Sequence, residues 1–165
     1  MSNINPEYQN LAGDIHLANK AEIEIILDLL SRQFEEHEIE VTEGRLRYAV
    51  DAMLADSNLG FFLLAQSGEN VVGLACVSFC WTLEHGGKSA WLDELYVLPE
   101  FRGQGIGQAL LNSVLKKAQI LGAAAVDLEV DIEHRRAEGL YQRYGFQTLP
   151  RSRWVKSLGD ISSER

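Results

Sequence analysis

Cysteine, proline and methionine are scarce in this sequence, which has only 2, 3 and 2 of them among 165 residues. Cys76 and Cys80 lie four residues apart in one strand-like run, and no cluster of histidine and cysteine completes a tetrahedral metal site. The sequence therefore argues against a disulfide framework and against a bound metal. Both cysteines are expected to be reduced and to lie in the core of a cytoplasmic protein.

Long apolar runs and an excess of positive charge are also missing. No run reaches the roughly 18 residues that a membrane span requires. The first ten residues lack the basic and apolar regions of a secretory signal. With 15 basic and 24 acidic residues the net charge is −9, which disfavours nucleic acid as a partner and is compatible with a cationic substrate. We therefore expect a cytoplasmic protein with neither a nucleic-acid nor a membrane partner.

The chain length favours one domain spanning residues 1–165, with residues 1–10 and 159–165 frayed. Periodicity predicts a short first strand, two helices and three consecutive antiparallel strands. A helix, a parallel strand and a short helix follow. The stretches 146–149 and 153–158 are predicted to form a closing hairpin. No internal repeat or linker divides the chain.

Residues 91–121 contain the most informative pattern, a strand, a glycine-rich turn and a helix. Strict alternation over residues 91–97 predicts a strand with Trp91, Asp93, Leu95 and Val97 on one face and Leu92, Glu94 and Tyr96 on the other. After Pro99 comes the run from Arg102 to Gly107, and helical spacing of apolar residues follows it. Such a turn aims free backbone N–H groups and the positive end of a helix dipole at one place, which suits an anion such as phosphate.

Two common nucleotide motifs do not fit this turn. The dinucleotide fingerprint would need a glycine where Gln108 stands, and the tail of a P-loop at Gly87-Lys88-Ser89 lacks its first glycine because Thr82 occupies that position. The segment VLPEFRGQGIG, residues 97–107, instead closely resembles the acetyl-coenzyme A pyrophosphate loop of the GNAT (Gcn5-related N-acetyltransferase) superfamily.

A second segment, LEVDIEHRRAEGLYQRYGF over residues 128–146, also resembles this superfamily. Tyr141 stands where many members have a tyrosine that donates a proton or a hydrogen bond to the departing coenzyme A sulfur. His134 stands where many members have asparagine, and the resemblance gives it a cofactor contact. The resemblance covers residues 91–146 by motif and the first 90 residues by the order of elements alone.

The resemblance implies a mixed α/β fold, with a mostly antiparallel, splayed sheet of six or seven strands flanked by helices. It implies acetyl-CoA as co-substrate and no metal. The diphosphate would be held by the backbone N–H groups of Arg102, Gly103, Gln104, Gly105, Ile106 and Gly107. The pantetheine arm would pair with the strand edge formed by Leu95, Tyr96 and Val97.

An amine acceptor needs a base, because a lysine-like amine with a pKa of about 10.4 is almost entirely protonated near neutral pH. Asp93 and Glu94 lie on the strand before the loop, and consecutive strand residues face opposite ways, so only one of them can face the acceptor. The pair is reminiscent of polyamine and thialysine acetyltransferases, and either carboxylate can be the base. Glu129 and Asp131 are second-rank candidates.

The helix pair near the start of the chain is where many such folds shape the acceptor pocket. Phe34, His37 and Tyr48 are the candidates for lining that pocket. The resemblance thus implies an N-acetyltransferase that acts on a small cationic amine or amino acid by direct attack. Two alternatives stay open, acetylation of a protein or peptide and a non-catalytic CoA-binding module. A homodimer is common in the superfamily.

Overall fold

One sheet of five strands organises the part of the chain before residue 130. The computed structural model describes residues 14–131 and 135–159. The strands are β1 (Asp14–Leu17), β2 (Gly60–Ser67), β3 (Asn70–Thr82), β4 (Gly87–Val97) and β5 (Ala125–Leu128). They lie in sequence order, β1 to β4 antiparallel and β5 parallel to β4. The predicted mixed, mostly antiparallel sheet is confirmed.

Three helices flank this sheet. They are α1 (Ile23–Glu36), α2 (Glu43–Ala55) and α3 (Ile106–Ile120), and short 3-10 turns occupy Lys20–Glu22 and Pro99–Phe101. Helix α3 connects the two parallel strands, as the sequence predicts. The buried side of α3 consists of Ile106, Leu110, Leu111, Val114 and Ala118.

The two faces of the sheet bury different helices. The core under α1 and α2 joins Ile26, Leu29 and Leu30 to strand residues that include Phe62 and Leu74. Phe61, which precedes Phe62 in β2, points to the opposite face because strand side chains alternate. The ammonium group of Lys117 on α3 lies 5.6 Å from the Phe61 ring centroid. The α1–α2 pair and α3 therefore cover opposite faces.

The residues from Val130 onward form a second compact unit. Within it, a 3-10 turn at Arg135–Ala137 leads into α4 (Glu138–Arg143). The single-domain assignment of residues 1–165 stays a prediction. Residues 1–10, the last six residues and His134 lie outside the described part of the chain.

The predicted closing hairpin is wrong for the described residues, because 146–149 and 153–158 contain neither strand nor helix. Trp154 and Val155 are about nine-tenths exposed (91% and 90%). A strand-like composition does not specify a strand unless a partner supplies ladder hydrogen bonds and a surface to pack against. The described residues thus contain five strands, whereas six or seven were expected for the chain.

Candidate active site

The turn between β4 and α3 presents a row of free backbone N–H groups. After the 3-10 turn at Pro99–Phe101, Gly103 and Gly105 adopt φ values of +75° and +83°, in the left-handed region that favours glycine. No atom lies within 4 Å of a Cβ added at either position, so it is the backbone conformation that requires glycine there. Helix α3 begins at Ile106 immediately afterwards.

The amide groups of residues 103–107 donate to no acceptor among the described residues. They lie at the N-terminus of a 15-residue helix, where the helix dipole adds positive potential. We call residues 102–107 the glycine turn. Its geometry can receive a doubly charged anionic group.

The outer edge of β4 is open beside the glycine turn. Pairing between β4 and β5 stops at Leu92 and Leu128, whereas β4 continues to Val97. The amide of Leu98 donates to the Val72 carbonyl on β3 at 2.9 Å. Because backbone polar groups alternate sides along a strand, those of Leu95 and Val97 face away from β3. Within the five-stranded sheet this edge has no strand partner and can accept an extended ligand.

A β-bulge at Asp93 changes which side chains share a face. Cys76 lies opposite Glu94, but Val77 lies opposite Leu92, so Asp93 is an extra residue in β4. Glu94 and Tyr96 therefore share the α1 face with Trp91, whereas Leu92 joins Leu95 on the α3 face. The strict alternation predicted for residues 91–97 is wrong at this point, because one inserted residue inverts every side chain beyond it.

The bulge also separates the two candidate bases. Asp93 is exposed, whereas Glu94 is half-buried and accepts a hydrogen bond of 2.6 Å from Gln33 Nε2 on α1. Burial, and to a smaller extent the charge of Asp93, raise the pKa of Glu94 to about 7. The hydrogen bond from Gln33 opposes both effects because it stabilises the ionised form. A carboxyl with this pKa exchanges protons near neutrality, as a general base requires.

Gln33 is a residue that sequence reasoning missed. It is only 7% exposed, and its Oε1 has no hydrogen-bond partner among the described residues. The sequence does contain a signal for the role of Gln33, because this polar residue continues the apolar stripe of Ile26 and Leu30 on α1. A polar side chain in the buried phase of a helix requires a buried polar partner.

A second contact missed from sequence joins the end of α1 to the glycine turn. Glu36 accepts hydrogen bonds from the Tyr96 hydroxyl at 2.6 Å and from Arg102 Nη2 at 2.8 Å. Burial acts to raise the pKa of Glu36, but the hydrogen bonds from Arg102 and Tyr96 outweigh it and lower the pKa. Burial together with the hydrogen bond to Glu36 raises the pKa of Tyr96 to about 12, so its phenol stays protonated.

A cleft of about 750 Å³ lies between α1, α2 and the segment that connects them. Phe34 lines this cleft, whereas His37 and Tyr48 are not among its lining residues, and Tyr48 is 79% exposed. That the cleft receives the acceptor stays a prediction. Carboxylates predominate around its rim, namely Glu24, Asp28, Glu35, Glu40 and Glu43. Arg47 is the basic residue in the lining and bonds both carboxylate oxygens of Glu24. This negative potential suits a cation.

Tyr141 lies in α4 of the second unit and is half-buried. Its ring meets Phe146 edge to face, with the centroids 5.7 Å apart. Burial raises the pKa of the Tyr141 phenol, which keeps it protonated and able to donate. Glu129 and Asp131, the second-rank candidates for the base, are both exposed.

The cysteines offer no activated nucleophile. Burial, reinforced by the charges of Asp93 and Glu94, raises the pKa of the Cys76 thiol well above its usual value. Cys80 is exposed rather than in the core, which corrects the expectation for it, and both cysteines are free. Across residues 14–131 and 135–159, no group of three or more His, Cys, Asp or Glu is arranged to hold a metal. No described helix combines the length and apolarity needed to cross a membrane.

An open strand edge, a glycine turn and a helix N-terminus, with a half-buried carboxyl on the same strand, define a class of acyl-CoA-dependent transferases. The sequence model of the acetyltransferase (GNAT) family matches residues 23–146. The chain belongs to this family.

Curated relatives match about half of the chain. It is 35% identical over 96 residues to an aminoalkylphosphonate N-acetyltransferase of Salmonella typhimurium, covering 58% of this chain and 62% of the relative. It is also 35% identical to a thialysine N-epsilon-acetyltransferase of Bos taurus, covering 50% and 48%. The chain thus spans about half the length of the curated relatives it matches.

A similar solved structure extends the likeness to nearly the whole chain. It is an integron cassette protein from the mobile metagenome of Cole Harbour Salt Marsh. Its TM-score is 0.82 at 26% identity, and the match covers 94% of this chain and 97% of that one.

Proposed function

We propose that this protein is an acetyl-CoA-dependent N-acetyltransferase whose acceptor is a small, cationic primary amine. The observation that carries the proposal is Glu94, a half-buried carboxyl with a pKa of about 7 on the strand that leads to the glycine turn. Family membership and the amine substrates named for the two relatives support the reaction class. The acidic rim of the α1–α2 cleft supports the choice of a cation.

Glu94 would remove the proton that makes the acceptor unreactive. Near neutral pH about one lysine-like amine in a thousand carries a free lone pair, which adds about 4 kcal/mol to the barrier. Glu94 near its own pKa is ionised in a large fraction of molecules and can take that proton. The neighbouring Asp93 adds negative charge that attracts the ammonium group. In this proposal Glu94 is the base and Asp93 an accessory.

The glycine turn and the open edge of β4 would bind the co-substrate. The amides of Gly103, Gln104, Gly105, Ile106 and Gly107 would hold the diphosphate, with Arg102 at the start of the turn. Leu95 and Val97 would pair with the amides of the pantetheine arm, Tyr96 lying between them with its side chain turned to α1. A contact from His134 to the cofactor also stays a prediction.

The chemistry needs no covalent enzyme intermediate. The amine nitrogen bonds to the thioester carbonyl carbon, the carbon–sulfur bond breaks, and Tyr141 gives the departing sulfur a proton. The nitrogen loses two protons as the ammonium group becomes an amide. Glu94 takes the first, and the second restores the phenol of Tyr141, so charge and atoms balance. The buried, protonated thiol of Cys76 supports direct attack.

A panel assay tests the proposal. Release of free CoA is measured with acetyl-CoA and a series of diamines, aminoalkyl phosphonates, amino acids and peptides. We expect turnover with at least one small cationic amine. Turnover with peptides alone would assign the protein to protein acetylation, and CoA binding without transfer to any amine would make it a binding module. Cytoplasmic location and dimerisation stay predictions, which fractionation and light scattering would test.

A further inference from the structure

The side chain of Arg102 turns back from the glycine turn toward the sheet and α1. Its Nε donates to the Val97 carbonyl at 2.9 Å, which closes the chain around the 3-10 turn at Pro99–Phe101. Its Nη2 donates to Glu36 Oε2 at 2.8 Å. The guanidinium carbon lies 5.5 Å from the centroid of the Tyr96 ring. The guanidinium group of Arg102 is thus held by the Val97 carbonyl, the Glu36 carboxylate and the Tyr96 ring at the start of the glycine turn.

Glu36 connects these contacts. Its second oxygen, Oε1, accepts from the hydroxyl of Tyr96, which is only 4% exposed. An ion pair whose side chains are 34% and 45% exposed, as for Glu36 and Arg102, is usually weak. Here the hydroxyl of Tyr96 holds the Glu36 carboxylate in one rotamer, so the carboxylate is already oriented toward Arg102.

The position of Arg102 matters because the next residue begins the row of free amides. Gly103 and Gly105 are exposed, and a Cβ at either would meet no atom within 4 Å, so packing does not fix the start of the glycine turn before Ile106 enters the core. The contacts of Arg102 with Val97 and Glu36 are what orient the chain as it enters Gly103. A binding loop that is preset loses less conformational entropy when it binds.

We propose that Glu36 is a positioning residue for the glycine turn: by holding Arg102 against β4, it presets the amides that receive the diphosphate of acetyl-CoA. This inference rests on the proposed function for the identity of the ligand. It adds that the final turn of α1, on the face of the sheet opposite α3, takes part in cofactor binding.

The test uses the Glu36→Gln variant with Glu38→Gln as the matched control, since Glu38 is an exposed carboxylate beyond the end of the same helix. The dissociation constant for CoA is measured by calorimetry. Acetyl transfer is measured with acetyl-CoA and with S-acetyl-pantetheine, a thioester without the diphosphate. We expect Glu36→Gln to weaken CoA binding and to raise the KM for acetyl-CoA about fivefold or more. The KM for S-acetyl-pantetheine should change less than twofold.

A double-mutant cycle with Arg102→Gln shows whether Glu36 acts through Arg102. We expect the double variant to bind CoA no more weakly than Arg102→Gln alone. Tyr96→Phe, which removes only the hydroxyl, should shift the CoA constant in the same direction as Glu36→Gln and serves as a second variant if Glu36→Gln folds poorly.

Three outcomes would overturn the inference. The first is equal CoA affinity in Glu36→Gln and Glu38→Gln. The second is an equal rise in KM for acetyl-CoA and for S-acetyl-pantetheine. The third is that the effects of Glu36→Gln and Arg102→Gln on the CoA dissociation constant add in the double variant. Wild-type protein that binds CoA but acetylates no amine refutes the proposed function alone, because the calorimetric comparison still decides the role of Glu36. Wild-type protein that does not bind CoA refutes both.

Discussion

Glu94, the proposed base, is a half-buried carboxyl that weakens the fold when it is ionised. Its pKa is raised from 4.5 to about 7, mainly by burial. The folded state therefore binds the proton more tightly than the unfolded state. The stability that this proton contributes is fully present below about pH 4.5 and is lost as the pH rises through about 7.

Replacing Glu94 with Gln should therefore stabilise the protein at alkaline pH. The free energy of unfolding should exceed that of wild type by up to about 3 kcal/mol at pH 8 and by little at pH 5. Urea denaturation at the two pH values measures this difference, and Glu38→Gln, a substitution of an exposed carboxylate that is remote from Glu94 in sequence, serves as control. An equal effect of the substitution at both pH values would refute the raised pKa.

The same Glu94→Gln variant should lose activity. We expect kcat/KM for the amine to fall roughly 10²-fold or more, because general-base catalysis contributes on that scale. The acid limb of the wild-type profile should titrate near pH 7. If the acid limb of the pH profile is unchanged in Glu94→Gln, the base is another group.

Tyr141 is half-buried, and its raised pKa keeps a proton available for the leaving sulfur. Tyr141→Phe should lower kcat roughly 10²-fold with little change in the KM for acetyl-CoA. The matched control is Tyr144→Phe, at the C-terminal end of the same helix. Steady-state kinetics on the two variants measures kcat and KM. A kcat of Tyr141→Phe within a factor of two of wild type would refute the role of Tyr141 as general acid.

At the scale of elements, α1 does more than cover the sheet. Gln33 and Glu36 lie one turn apart and reach Glu94 on β4 and Arg102 at the glycine turn. One helix therefore contacts both the candidate base and the start of the glycine turn. A substitution of Gln33 should change the pH dependence of kcat/KM. A substitution of Glu36 should instead change the dissociation constant for CoA.

A side chain at Gly105 should destabilise the glycine turn. Its φ of +83° would cost an alanine about 1 kcal/mol, although no neighbouring atom would clash. We expect Gly105→Ala to lower stability by about that amount and to weaken CoA binding. In Gly44→Ala, which adds a methyl group in open space on α2, CoA binding should stay unchanged. Thermal melting and calorimetry measure both effects, and wild-type CoA affinity in Gly105→Ala would contradict the cradle.

At the scale of the whole molecule, local patterns predicted what depends on neighbours in sequence. The turn from Val97 to Gly107 and the helix after it follow from proline, glycine and apolar spacing within one stretch. The parallel strand β5 follows from the strand–helix–strand order. These features need no knowledge of distant residues.

Long-range contacts could not be predicted in this way. Gln33 and Glu94 are 61 residues apart, and their hydrogen bond exists only once α1 packs on the sheet. The bulge at Asp93 leaves no trace in the alternation of residues 91–97, because it depends on the register with β3. The same reason explains the absent hairpin, since Trp154 and Val155 have strand-forming side chains but remain exposed.

The most direct test of the account is calorimetric titration of acetyl-CoA into the wild-type protein. We predict saturable binding at one site per chain, weakened in Gly105→Ala and nearly unchanged in Gly44→Ala. Absence of binding heat at millimolar acetyl-CoA, or equal affinity in all three proteins, would contradict the claim that the glycine turn holds the co-substrate.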